Sequence, residues 1–168
     1  NLEARDTDFI NYILSNISLG AQEDTFLYTK TSATTASLYG YRGSNLSGSV
    51  ALPSQIDGLT VNRVSPDLFK TNGTDITALS IPSTVETIDR NAFVGLTALQ
   101  DVEFSSTSNV TTIGSGAFAN CTSLENFEIP ASVTSIAPDA FLGCTDLSEI
   151  TVAEGNTSYS ASDGVLFN

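Results

Sequence analysis

Five side chains at matched spacing carry the main chemical signal of this sequence: Asp101, Glu103, Asn126, Glu128 and Glu149. Carboxylates in such company can do acid–base work, hold a cation or attract a basic partner. The first two options need helpers, and the composition withholds them. Histidine is absent, which removes His-based triads, His metal ligands and imidazole switches together. Cys121 and Cys144 are the only two cysteines, too few for a disulfide scaffold or a zinc cluster. A reactive thiol needs an activating base and an electropositive surround, and this chain carries 19 Asp+Glu against 6 Lys+Arg, a formal charge of −13. No catalytic residue, metal site or cofactor is therefore expected. The charge is uneven: from Asn91 onward there are 9 acids and no base, so −9 of the −13 lies in the last 78 residues. Such a chain does not bind nucleic acid, because that affinity depends on neutralising phosphates with Lys and Arg. No apolar run approaches the ~20 residues that span a bilayer.

The elements that position these carboxylates repeat. Ile76–Gly95, Leu99–Asn120 and Leu124–Gly143 are three copies of one segment, preceded by a divergent copy at Val50–Phe69 and followed by a truncated one at Leu147–Ala153. Phe69, Phe93, Phe118 and Phe141 fall at steps of 24, 25 and 23. Ahead of each stands a pair three apart: Val61/Val64, Val85/Ile88, Val110/Ile113 and Val133/Ile136. A fixed period of this length is the mark of a solenoid. Within one unit, Leu-x-x-apolar-x-apolar alternates as a strand buried on one face, and Pro82 and Pro130 stop it. Val-x-x-Ile makes a second extended piece. Ser65, Asp89, Gly114 or Ala137 follows, three of them good helix N-caps, with Pro66 and Pro138 one step later. Gly95, Asn120 or Gly143 then supplies the left-handed end. The unit reads as strand, turn, extended piece and helical turn carrying Phe inward.

This pattern resembles the BspA-like, or Treponema-type, leucine-rich repeat, through Leu124, Phe127, Ile129, Pro130, Val133, Ile136, Ala140, Phe141, Cys144 and their counterparts one repeat back. The resemblance covers roughly residues 46–168. The upstream DTFLYTKTSATTASLYGYRGS is similar to the family's strand-rich lead-in, and NTSYSASDGVLF to its recurrent ending. It implies a secreted or surface-attached microbial protein engaged in adhesion and protein binding. The expected fold is an α/β solenoid: a right-handed leucine-rich-repeat superhelix of about five coils with a parallel sheet on one face and short helical turns. A parallel β-helix is the runner-up. Residues 1–45 form an N-terminal cap and 46–168 the array with a modified last coil. In the cap, Phe9, Ile10, Ile13, Leu14 and Ile17 mark an amphipathic helix over 6–20, and 25–29 and 36–41 are strands. The start at Asn1, the absence of Met and the stop at Asn168 suggest a trimmed piece of a longer precursor.

On the repeat, the third and fifth strand positions point away from the core. The third column reads Ala78, Asp101, Asn126, Glu149 and the fifth Ser80, Glu103, Glu128, Thr151. Glu103 and Glu128 are expected as ladder neighbours about 4.8 Å apart, an arrangement that destabilises a sheet by up to about 1 kcal/mol. Retaining it points to a cationic partner; the plainer reading is that the acids keep an exposed sheet soluble and unpaired. Calcium is a lesser option, since the columns lack a looped cage of 6–8 oxygens. The face spans about 300 Å² against about 800 Å² per partner in a standard interface, so flanking loops or multivalency must help. Cys121 and Cys144 share one repeat position, filled by Leu96 a copy earlier; a stacked, reduced, buried pair is expected, with a disulfide not excluded by coil spacing. Ser and Thr, 43 in number, fill outward positions such as Thr111, Thr112, Thr134 and Ser135. The six sequons at Asn16, Asn45, Asn72, Asn109, Asn120 and Asn156 are a mild excess over chance. The expected function is a non-catalytic extracellular or cell-surface module that binds protein, basic or matrix-like, through the acidic sheet. A glycan-binding or carboxylate-based carbohydrate-active solenoid and a structural spacer are the alternatives.

Overall fold

The computed structural model describes residues 25–162 and 164–167; the amphipathic helix expected over 6–20 lies outside them. Among the described residues the strands are β1 (Thr25–Lys30), β2 (Thr35–Arg42), β3 (Ser47–Ala51), β4 (Gln55–Ile56), β5 (Leu59–Val64), β6 (Asp75–Ile81), β7 (Thr87–Ile88), β8 (Asp101–Phe104), β9 (Thr112–Ile113), β10 (Asn126–Ile129), β11 (Ser135–Ile136), β12 (Glu149–Val152), β13 (Ser160–Ser162) and β14 (Val165–Phe167).

The strands alternate between two parallel sheets, so about five coils stack. Leu-x-x-apolar-x-apolar segments make one side: β3, β6 and β8 form one ladder, β10 and β12 another. The Val-x-x-Ile segments make the second: β2, β5, β7, β9 and β11 run parallel, with Val64, Ile88, Ile113 and Ile136 in one row. β1 extends this sheet as an antiparallel neighbour of β2. The divergent first copy differs because β4 folds back on β5 through Asp57-Gly58, both at positive φ, the turn that two-residue hairpins favour.

The third side corrects the expected fold class. No helix occurs among the described residues, so the architecture is a β-solenoid and the α/β assignment, with its helical turns, does not hold. Two physical reasons are visible. The residue before Leu68, Ala92 and Ala117 is left-handed (Asp67, φ 61°; Asn91, φ 55°; Gly116, φ 62°), and one such residue interrupts a helix. Alternate turn N–H groups also bond sideways, while those between them, such as Ala92 to Asp89 O and Ala119 to Gly116 O, bond back three residues along the chain. Phe93 N–H donates to Ala117 O and Gly95 N–H to Ala119 O, both at 2.8 Å. Phe118 N–H and Asn120 N–H do the same to Ala140 O and Leu142 O, at 2.9 and 2.7 Å. Gly95, Asn120 and Gly143 end their turns at positive φ, as the left-handed end residues were expected to.

The interior is a column of rings. Phe69 and Phe93 stack with centroids 6.2 Å apart, Phe93 and Phe118 at 5.2 Å, Phe118 and Phe141 at 5.7 Å. Phe26 of β1 meets Phe69 edge-on at 6.1 Å. Phe127 meets Phe118 and Phe141 edge-on from the first sheet. Phe118, fully buried, therefore touches three other rings. Truncation to alanine is expected to cost about 3–5 kcal/mol, whereas Leu142→Ala, at a side chain 68% exposed, stays within about 0.5 kcal/mol. Urea midpoints of the two variants measure the difference; equal shifts would contradict the ring column as the core.

Candidate functional site

The strand register places the acidic columns as the alternation demands. Ala78 faces Asp101 and Ser80 faces Glu103 across β6–β8, while Asn126 faces Glu149 and Glu128 faces Thr151 across β10–β12. Asp101, Glu103, Asn126, Glu128 and Glu149 are all exposed, and the side chains between them, Val102 and Phe127, are buried. The face thus stands on the core it shields. Among the described residues the ion pairs are Arg63–Asp89 and Lys70–Asp67, so none of these face carboxylates is neutralised by a described cation. The expected ladder contact between Glu103 and Glu128 is not formed, because the ladder is interrupted between β8 and β10. At this break Phe104 stands where Ile81 and Ile129 stand in adjacent coils, edge-on to Phe127 at 5.6 Å and only half-buried.

Hydroxyls and amides bind coil to coil. Thr111 Oγ1 donates to Glu86 O, Thr134 Oγ1 to Thr111 O, and Ser132 Oγ to Val110 O. Thr122 and Thr145 continue a second line through Thr97 O and Thr122 O. Sequon asparagines share this work: Asn72 Nδ2 donates to Gly43 O, Asn109 Nδ2 to Ser83 O, and Asn156 Nδ2 to both Pro130 O and Val133 O. Tyr159 Oη accepts the Ile136 N–H at 2.9 Å. Asn156 and Tyr159 together replace, with side chains, the backbone a further Val-x-x-Ile segment would supply. In the sequence the signal for this is the NTSYSASDGVLF segment, where the repeat pattern stops.

Cys121 is buried, Cys144 half-buried, and both are free thiols. Their Sγ atoms donate to Phe93 O and Phe118 O at 3.3 and 3.1 Å, equivalent carbonyls one coil apart. No group of three or more Cys, Asp or Glu among the described residues is placed to hold a metal ion. No helix there is long and apolar enough to cross a membrane.

Fold and face define a repeat solenoid with one charged, flat side. The model of the BspA type leucine rich repeat region matches residues 62–163 in six copies, and the chain belongs to that family. Among solved structures it is similar to a leucine-rich repeat protein from Bacteroides capillosus, at 26% identity and TM-score 0.63, over 79% of this chain and 97% of that one. It is also similar to the T. pallidum leucine rich repeat protein, at 28% identity and TM-score 0.56, over 74% and 67%. A leucine rich cell surface protein from Faecalibacterium prausnitzii shares the fold at 21% identity and TM-score 0.53; 89% of this chain is matched, spanning 59% of that protein. No curated protein matches the sequence.

The cysteine pair gives a measurable consequence. The two thiols are pushed apart: the hydrogen bond with Cys144, and then burial, raise Cys121, while the hydrogen bond with Cys121 lowers Cys144. A raised thiol contributes stability that is present below the pH of about 8.5 at which the unfolded thiol ionises and is lost as pH rises; a lowered one acts with the opposite sign. Removing Cys144 leaves the buried Cys121 without that opposing partner, so between pH 7.5 and 9.5 the melting temperature of Cys144→Ala should decline more steeply than that of Cys121→Ala; parallel slopes would refute the assignment.

Proposed function

We propose that this chain is a non-catalytic protein-binding module of a microbial surface or secreted repeat protein, and that its acidic sheet is the contact face for a basic partner. The observation that carries this reading is the exposed row Asp101, Glu103, Asn126, Glu128 and Glu149, without a described counter-cation. Family membership supports the protein-binding part. The Faecalibacterium relative, described as a cell surface protein, supports the location. A carbohydrate-active reading needs two carboxylates across a cleft, about 5–9.5 Å apart. Two surface depressions each carry a single carboxylate, Asp139 in one and Glu149 in the other. The face is small against a standard interface, so a partner gains affinity by engaging several such faces or the loops beside them.

Charge reversal at Glu103 and Glu128 is expected to weaken binding to basic extracellular proteins at least tenfold while leaving the melting temperature unchanged, since both side chains are exposed. Surface plasmon resonance against a panel of such proteins at fixed ionic strength reads the effect. Unchanged affinity would defeat the proposal.

A further inference from the structure

Cys121 and Cys144 are the only two cysteines in the chain, and the fold sets them side by side on adjacent coils. Two main-chain bonds bracket the pair: Asn120 N–H to Leu142 O at 2.7 Å ahead of it, and Asp146 N–H to Thr122 O at 3.2 Å behind it. Segments bonded in this way run about 5 Å apart. That lies inside the Cα separation a disulfide spans, about 4.4–6.8 Å. The sulphurs converge as well. Phe118 O accepts the Cys121 N–H at 3.2 Å and the Cys144 thiol at 3.1 Å, so the Cys144 sulphur lies against the Cys121 main chain. Packing alone does not call for sulphur here, since the buried Leu96 fills the same position one coil earlier.

The two thiols differ in character. Cys121 is fully buried, and its proton is held by the hydrogen bond with Cys144 and then by burial. Cys144 is lowered: hydrogen bonds from the Cys121 thiol, and also from its N–H, stabilise the Cys144 thiolate against the opposing effect of burial. A hydrogen bond to the charged form favours it, and so takes the part that a neighbouring cation plays at other reactive cysteines. A thiolate-prone sulphur beside a second thiol is the layout of redox-responsive pairs, in which the first reacts and the second resolves.

We propose that Cys121 and Cys144 form a reversible disulfide that locks neighbouring coils together, Cys144 reacting first with a small-molecule disulfide and Cys121 completing the bond. In the first step the Cys144 thiolate attacks one sulphur of the reagent. The reagent's S–S bond breaks, a mixed disulfide forms on Cys144, and one small thiolate leaves and takes up a proton from solvent. In the second step Cys121 loses its proton, its sulphur attacks Cys144 Sγ, and the second small thiolate leaves with that proton. Two protein thiols are oxidised and one reagent disulfide is reduced to two thiols. The lock rests neither on the acidic sheet as a contact face nor on a surface location.

The test incubates the wild-type protein with millimolar glutathione disulfide, quenches in acid and reads the intact mass. The mass is expected to fall by two hydrogens with no glutathione bound, and proteolysis to yield peptides linked through Cys121 and Cys144. Dithiothreitol should restore the starting mass. The oxidised form is expected to melt at least about 4 °C above the reduced one. Cys121→Ala should stop at a glutathione adduct on Cys144, formed at least tenfold faster than the adduct on Cys121 in Cys144→Ala. Two free thiols after prolonged incubation, a persistent glutathione adduct on the wild type, or a disulfide-linked dimer would each overturn the proposal. So would equal adduct rates in the two variants, or an oxidised form no more stable than the reduced one.

Discussion

Everything in this protein depends on one constraint: each coil must satisfy its backbone on the coil beside it, at a step of 23 to 25 residues between equivalent phenylalanines. A buried polar group left without a partner costs about 1–3 kcal/mol, and a coil this narrow has no room to satisfy itself. The two sheets meet the constraint with parallel ladders. The turns meet it with N–H groups directed at the next turn's carbonyls. Corners that no strand reaches meet it with hydroxyls and amides, as Thr111, Ser132, Thr134 and Asn109 do. The abundance of Ser and Thr, which reads from composition alone as a substitute for surface charge, is in part this bonding.

The same constraint explains what could be read from the sequence and what could not. Column membership was legible, because in-register stacking makes spacing equal to position. Phe93 and Phe118, Val85 and Val110, and the outward Ala78–Asp101 and Asn126–Glu149 pairs all lie where periodicity puts them. Family resemblance was legible for the same reason. The backbone form of the turn was not. A capped Ala-Phe segment ending in Gly or Asn satisfies the local rules for a short helix. What overrides them is non-local: sideways bonds such as Phe93 N–H to Ala117 O, and Asn91 held left-handed. Asn tolerates that conformation, but a cap rule does not look for it in the middle of the turn.

Charge on a solenoid obeys the column rule too. A repeat that copied Glu at one outward position would stack like charges along the whole face. Here the columns dilute the acids with Ala78, Ser80, Asn126 and Thr151, so that ladder pairs such as Ser80–Glu103 and Glu128–Thr151 never oppose two carboxylates. The exception would be Glu103 against Glu128, and that is the boundary where the ladder is broken. Both carboxylates stand beside the half-buried Phe104, so the break leaves charge and an aromatic edge together on one side.

Repetition solves the interior of such a molecule, and coils that depart from the repeat need other partners. Beside the divergent first copy, Phe26 lies edge-on to Phe69 and β1 pairs with β2. In the fifth coil polar side chains take over, Asn156 taking two carbonyls and Tyr159 one N–H on the second sheet. Side chains can extend a ladder without supplying core, so hydrogen bonding carries on in this coil while Phe141 stays half-buried where Phe118 is fully buried.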